Sequence, residues 1–342
     1  MKLRPLQEKV VNFINDKKNE GLLVVHSTGC GKTLTAVTAS QCFLDNDPDN
    51  RVVLVAPTSL IGNFKKELRA YGVPPLSFEK YSFYTYNDFM RLNKLEKPFN
   101  FCENTMLIID EAHNLRNYRY GKRKDGKKFS DRYVSSLKCA RFASKRLLLT
   151  ATPFINKITD FIPLTNILYG DDIVGNKRDV DDGISLDNIS NQLDERNIGV
   201  LKKYLNGKVD FVNCKSDEEF PELKEHYKVI KMNRAYLNKY MKLLESEEVE
   251  GLSFGDPYPF YNAQRRIVNK VGPEYYSLKL DSVLTQLQTG KSLIYTNWLD
   301  FGADIASTFL TNHGISHKIF SGKLTKKARD MIVKDFNNDK FE

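Results

Sequence analysis

Short apolar runs alternate with helix-period stripes along most of the chain. The first run, residues 22–25, contains only Leu and Val, as a parallel strand buried on both faces requires. Ahead of it, Pro5 opens a helix whose Leu6, Val10, Phe13 and Ile14 share one face. Further strands are expected over 51–56, 82–85, 106–110 and 147–150, with helices over 60–70 and from residue 87. Such alternation predicts an α/β fold built on a doubly wound parallel sheet. The pattern weakens from 156 to about 215, where only 162–168 reads as helical and 170–183 as a polar loop. It then resumes, with strands expected over 227–231, 292–296 and 316–320 and helices over 235–244, 300–311 and 325–336. The expected organisation is a first domain over 1–165, a connecting segment over 166–225 and a second, incomplete sheet domain over 226–342.

The polar residues that interrupt this pattern fall at the C-terminal ends of strands, where open parallel sheets place their sites. After the first strand comes His26-Ser-Thr-Gly-Cys-Gly-Lys-Thr33. Gly29 and Gly31 let the backbone take positive φ and approach an anion. The N–H groups from Cys30 to Thr33 open a helix, whose orphan donors and dipole favour a polyphosphate. Lys32 would meet the β- and γ-phosphates, and the Thr33 hydroxyl a Mg²⁺ ion. Ser27 and Thr28 complete the loop, and His26 stands where such loops usually begin with glycine.

The fourth strand ends in Asp110-Glu-Ala-His. Two carboxylates closing a buried strand suit phosphoryl transfer to water, with Asp110 holding the metal and Glu111 orienting and deprotonating the water. His113 would sense the γ-phosphate or simply start a helix. Thr150 and Thr152, at the end of the fifth strand, would couple the phosphate site to a neighbouring surface or serve as turn residues.

Composition bounds the remaining possibilities. The chain has 342 residues, 41% hydrophobic and 28% charged, enough for about two globular domains. No apolar run approaches the ~20 residues of a membrane span, and the N-terminus lacks the apolar core of a signal peptide. The net charge of +9 is concentrated. Residues 116–146 hold 12 Lys and Arg against 2 Asp, which leaves the rest of the chain near neutral. Such a block fits a polyanion such as nucleic acid, or a solvated loop. The five cysteines, at 30, 42, 102, 139 and 214, show no metal spacing and no even set. They are expected to be free thiols, in an intracellular, reducing compartment: cytoplasm, nucleus or virion.

With these segments in hand, the chain resembles superfamily 2 helicases and translocases. Leu3-Arg4-Pro-Leu-Gln7 resembles the adenine-contacting segment, His26–Thr33 motif I, and Asp110-Glu-Ala-His motif II. Ala56-Pro-Thr-Ser-Leu resembles motif Ia, Tyr84-Thr-Tyr-Asn the nucleic-acid segment after it, and Thr150-Ala-Thr-Pro motif III. The spellings around Ser59 and Phe154 resemble the chromatin-remodeler branch, closest to poxviral nucleoside triphosphatase I and related proteins of large DNA viruses. That group also accepts His at the first loop position and carries an insertion like Lys124-Asp-Gly-Lys after motif II. Lys291 to Trp298 resembles motif IV.

The resemblance implies two RecA-like domains, ATP and Mg²⁺ as cofactors, and non-sequence-specific DNA or RNA as partner. It also allows contact with other transcription or replication proteins, and implies no membrane. Arg4 and Gln7 would bind the nucleotide. Pro57, Thr58, Thr85, Thr296 and Trp298 would follow the nucleic-acid backbone, although Trp298 also reads as a packed helix-start residue. Arg265 and Arg266 would touch phosphate or cover a domain seam. Motifs V and VI of the family, with their transition-state arginines, are not recognised before Glu342. The expectation is therefore a chain that binds ATP but turns it over very slowly, with little stimulation by nucleic acid. Three function classes follow: an ATP-driven nucleic-acid translocase or helicase, a P-loop enzyme phosphorylating a small molecule, and a catalytically incomplete regulatory remnant. The first is favoured.

The basic block yields a direct test. Replacing Lys122, Arg123, Lys124, Lys127 and Lys128 with neutral residues should weaken nucleic-acid binding and shrink the log–log salt slope by up to about five units. Titrations at several salt concentrations would show it, and an unchanged slope would make the block a solvated surface.

Overall fold

The computed structural model describes residues 3–94, 99–116, 130–153, 160–171, 173, 199, 202–214, 224–245, 265–269, 277–285, 287 and 291–341. The chain divides into two compact units, residues 1–222 and 223–342.

The first unit is built on six parallel strands: β1 (Gly21–His26), β2 (Arg51–Ala56), β3 (Tyr81–Thr85), β4 (Thr105–Asp110), β5 (Lys145–Thr150) and β6 (Val209–Val212). Their order is β3-β2-β4-β5-β1-β6. β1, β4 and β5 are buried along their whole length, which accounts for their continuous apolar character. Alternate residues feed two cores. Leu22, Val24, Val52, Leu54, Met106, Ile108, Leu147 and Leu149 pack on helices α1 (Pro5–Asn15), α2 (Lys32–Asn46) and α3 (Thr58–Tyr71). Leu23, Val25, Val53, Val55, Leu107, Ile109 and Leu148 pack on the opposite face against α4 (Tyr86–Lys94), α5 (Asp131–Phe142) and α6 (Phe161–Tyr169).

Local chemistry sets the helix boundaries. Pro5 opens α1, and the Gln7 side chain reaches back to accept a hydrogen bond from Arg4 N at 2.9 Å. Ser130 caps α5 by accepting from Tyr133 N. Gly72, at φ 101°, ends α3, and Gly170, at φ 68°, ends α6.

β6 lies within the stretch expected to connect the domains, yet it pairs with β1 from Leu23↔Val209 to His26↔Val212. Four residues containing an aspartate give a weak strand signal, and only the open edge of β1 makes them a strand. The second unit contains α7 (Arg234–Glu245), α8 (Leu278–Leu284), a short turn over Leu299–Ala303 that runs into α9 (Asp304–Asn312), and α10 (Lys326–Asn337). Residues 227–231, 292–296 and 316–320 were expected to be strands, but they form no strand pairing among the described residues. An extended apolar segment becomes a strand only when a neighbour takes its backbone hydrogen bonds. No described helix is long and apolar enough to cross a membrane.

At the start of β1, a Cβ added to Gly21 would lie 2.4 Å from the backbone oxygen of Leu168 in α6. The contact is with main chain rather than with a movable side chain, so either β1 or α6 must shift. Gly21→Ala should therefore cost about 1–3 kcal/mol and lower the melting temperature by several degrees in a thermal scan.

Candidate functional site

Strand register gathers the site. β5 lies between β1 and β4, with Val25 opposite Thr150 and Asp110 opposite Leu149. The segments leaving β1, β4 and β5 therefore emerge side by side at one edge of the sheet.

The loop after β1 has the backbone of an anion cradle. Gly29 and Gly31 hold φ of 88° and 77°, and Gly31 caps α2 from the left-handed region. A side chain at Gly31 would be strained at φ 77°, and an added Cβ, 2.4 Å from Gln7 Nε2, would also push that amide aside. That amide donates to Gly31 O at 3.3 Å, which joins the Arg4–Gln7 segment to the loop. Thr28 and Gly29 are exposed, and Thr33 lies in the first turn of α2. Lys32 Nζ donates to the carbonyls of His26 at 2.8 Å and Ser27 at 3.1 Å. Burial pulls the Lys32 pKa below its ordinary value, and Glu111 and Asp110 oppose this. The ammonium therefore lies within electrostatic reach of both carboxylates.

Asp110 is 6% exposed. Burial first, and then the Glu111 charge, push its carboxyl up to about 6; the Glu111 N–H and Lys32 partly offset them. Glu111 N donates to Asp110 Oδ1 at 2.9 Å. Glu111 itself sits at φ 52°, ψ 50°, a left-handed conformation uncommon for a residue with a Cβ. Its carboxylate lies 3.2 Å from His113 Nδ1, which is also 3.1 Å from Thr150 Oγ1. Thr150 Oγ1 in turn accepts from Thr152 N at 3.1 Å. The carboxylate and the three coupling candidates thus form one polar chain. Burial lowers the His113 pKa, against the pull of Glu111.

A buried acid after a phosphate-type loop, a lysine in reach of it and a helix N-terminus are the donor set that Mg²⁺ and a nucleoside triphosphate need. Lys32 and Thr33 would hold phosphate and metal, and Asp110 would hold the metal.

β6 supplies partners that the sequence reading missed. His26 is fully buried, with Nε2 2.7 Å from Asp210 Oδ2. Lys9 of α1 donates to the other oxygen of Asp210. Burial lowers the His26 pKa despite Asp210. Burial alone would raise Asp210, but the hydrogen bonds from Lys9 and His26 bring it below its ordinary value. Ser27 Oγ accepts from Cys214 N at 2.9 Å. An acid inside the short Val-Asp-Phe-Val run was the available signal. Tyr86 was also missed, although it stands within a quoted segment. It donates to Asp110 O at 2.9 Å and Glu111 O at 3.0 Å.

The cysteine expectation is corrected. Cys30 is bonded to Cys214, and Cys102 to Cys139, which leaves Cys42 free. The bonded partners stand 184 and 37 residues apart. Packing against β6 and between α5 and the turn before β4 brings them together, which spacing alone cannot show. A reducing compartment therefore no longer follows from the cysteines.

Three of the nucleic-acid candidates meet in the first unit, where Ala56 pairs with Thr85 and Pro57 and Thr58 follow at the next strand end. Pro57 caps α3, and Thr58 is exposed in its first turn. Thr85 Oγ1 donates to Asp88 Oδ2 at 2.7 Å and accepts from Asp88 N at 3.1 Å, so its hydroxyl caps α4. In the second unit, Trp298 N donates to Thr296 Oγ1 at 3.4 Å, and the Arg265 guanidinium carbon lies 6.0 Å from the centre of the Trp298 ring. That geometry favours a packed helix-start tryptophan. Lys122, Arg123, Lys124, Lys127 and Lys128 lie outside the described residues.

Residues 84–269 match the SNF2-related domain family, and residues 1–155 match the family described as type III restriction enzyme, res subunit. A protein of Acanthamoeba polyphaga mimivirus named as an ATP-dependent RNA helicase is 27% identical, and the alignment covers 99% of this chain and 75% of that protein. Nucleoside triphosphatase I of Amsacta moorei entomopoxvirus is 28% identical over 46% of this chain and 25% of its own length. Among solved structures, the Sulfolobus solfataricus SWI2/SNF2 ATPase core in complex with dsDNA matches with a TM-score of 0.48 at 18% identity. That match covers 99% of this chain and 76% of that one.

Asp110 yields a prediction with a definite sign. Its folded pKa of about 6 lies above the ordinary 3.8. The folded state then binds more protons than the unfolded state between those values, so this group's contribution to stability falls as pH rises through that window. Asp110→Asn keeps the acceptor for Glu111 N and removes the charge. It should raise the melting temperature at pH 7.5 and have little effect at pH 4.5, while Mg²⁺-dependent nucleotide binding is lost. Thermal scans at the two pH values, with a Mg²⁺ titration, would check this.

Proposed function

The chain belongs to the SNF2-related domain family, and from that premise we propose that it couples ATP hydrolysis to movement along nucleic acid. The observation that carries this reading is the chain Glu111–His113–Thr150–Thr152 beside the Lys32 loop. A binding module has no use for a carboxylate held in a strained backbone next to a second, buried one, whereas water attack on a phosphoryl group does.

In this mechanism Lys32 exchanges its two loop carbonyls for phosphate oxygens, and the N–H groups opening α2 hold the polyphosphate. Thr33 and Asp110 would hold Mg²⁺, which would supply charge neutralisation at the transferring phosphoryl group. Glu111 orients the attacking water and takes its proton. His113 Nδ1 lies within reach of both Glu111 and Thr150, so a change in the bound phosphates would reach Thr152 and the loop after β5. Arg4 and Gln7 adjoin the loop and suit recognition of the base.

Non-sequence-specific DNA or RNA is the proposed track, with the basic block of residues 116–146 and the region of Pro57, Thr58 and Thr85 the first surfaces to test. An intracellular setting, in company with transcription or replication proteins, belongs to the same reading. A regulatory remnant without catalysis is not favoured.

ATPase measurements with and without DNA or RNA test the reading. Against the expectation of slow, barely stimulated turnover, wild-type hydrolysis should rise with nucleic acid. Lys32→Ala should weaken ATP binding by at least about tenfold. Glu111→Gln should retain ATP and Mg²⁺ while hydrolysis falls on the order of 10²-fold or more. Equal ATP binding by wild type and Lys32→Ala, or turnover indifferent to nucleic acid, would overturn it.

A further inference from the structure

Glu111 occupies a backbone conformation that must be imposed from outside, and its surroundings show what imposes it. The carbonyls of Asp110 and Glu111 both turn toward a single phenol. Tyr86 OH lies 2.9 Å from the first and 3.0 Å from the second, a three-centre hydrogen bond. The Tyr86 ring is buried, so its hydroxyl cannot exchange these acceptors for bulk water. Asn114 holds the Glu111 carbonyl from the other side, through its backbone N–H at 3.0 Å and its Nδ2 at 2.9 Å. Left-handed residues with a side chain persist only where neighbours over-determine them. Tyr86 and Asn114 are those neighbours.

We propose that Tyr86 is a positioning residue for Glu111, and that through it the strand end bearing Thr85 sets the geometry of the catalytic carboxylate. This rests on the proposed function. Tyr86 is the first residue of α4, directly after Thr85, whose reciprocal hydrogen bonds with Asp88 fix the start of that helix. Arg132 of α5 grips the same spot. Its guanidinium donates to Asn87 Oδ1 at 2.8 Å, and its carbon lies 6.0 Å from the Tyr86 ring centre. α5 begins at Asp131, within the basic block of residues 116–146. A polyanion held at the Thr85 end therefore acts on an assembly of Tyr86, Asn87 and Arg132 joined by these contacts. The Tyr86 hydroxyl passes any displacement of that assembly to the turn that carries Glu111. A displacement of about 1 Å at a catalytic base suffices for a 10²-fold change in rate.

Tyr86→Phe removes the hydroxyl and keeps the ring. The expected result is a kcat at least about tenfold lower with saturating nucleic acid, with KM for ATP and the ATP dissociation constant within about twofold of wild type and the melting temperature nearly unchanged. A role confined to packing would lower the melting temperature and leave kcat alone. An unchanged kcat, or kcat and ATP affinity falling together, overturns the proposal. A second readout does not depend on turnover. Amide hydrogen exchange of peptides spanning residues 110–116 should quicken at least about fivefold in Tyr86→Phe, with peptides of β1 and β5 unchanged. Equal exchange in that turn overturns the positioning role. A wild-type chain that hydrolyses no ATP with nucleic acid present would instead sink the proposed function, and the exchange measurement would still decide the role of Tyr86.

Discussion

In a parallel sheet the slanted backbone hydrogen bonds tie every strand to the direction of its neighbours, so all strand ends of one kind meet at one edge. Here β5, paired with β1 on one side and β4 on the other, fixes the heights at which the three chains leave the sheet. The phosphate-type loop, the two carboxylates and the Thr150 hydroxyl are neighbours for that reason alone. The hydrophobic alternation that fills both faces locks the register, because a slip of one residue would exchange the two cores.

Placing charge at that edge is unfavourable, and the structure records it in several groups at once. Asp110 is raised toward neutrality by burial, Lys32 is lowered by it, and each restores part of the other's charged form. Tyr86, beside them, is pushed well above its ordinary value by burial and the two carboxylates, which keeps its hydroxyl a donor. Glu111 adds a left-handed backbone. Perturbed ionisation and local strain gathered in one place mark a candidate functional site more firmly than any single motif does.

The other edge of the same loop is held by β6. His26 stands where a glycine is usual, and its imidazole would be an uncompensated buried group without Asp210, which Lys9 also holds. Ser27 and Cys30 both reach Cys214 just beyond the strand. The substitution at the start of the loop and the strand arriving almost two hundred residues later are thus one arrangement: the side chain at 26 is accommodated because an acid comes to meet it.

The sequence alone determined five of the six strands of the first unit and its helices other than α5 to within about two residues, together with the doubly wound class, the glycine-bearing loop and the paired carboxylates at 110 and 111. Those features are local: a continuous apolar run, a helical stripe, a pair of glycines, two acids closing a strand. The SNF2-related match agrees with the resemblance read from the same segments. Tertiary structure alone decided that residues 209–212 join the sheet, that Asp210 answers His26 and that four cysteines pair. It also decided that residues 227–231, 292–296 and 316–320 form no pairing among those described, and that Tyr86 rather than Thr85 points its hydroxyl at the carboxylate turn. Each of these depends on a partner distant along the chain, and no periodicity within one segment can register a hydrogen bond whose other half is supplied by another.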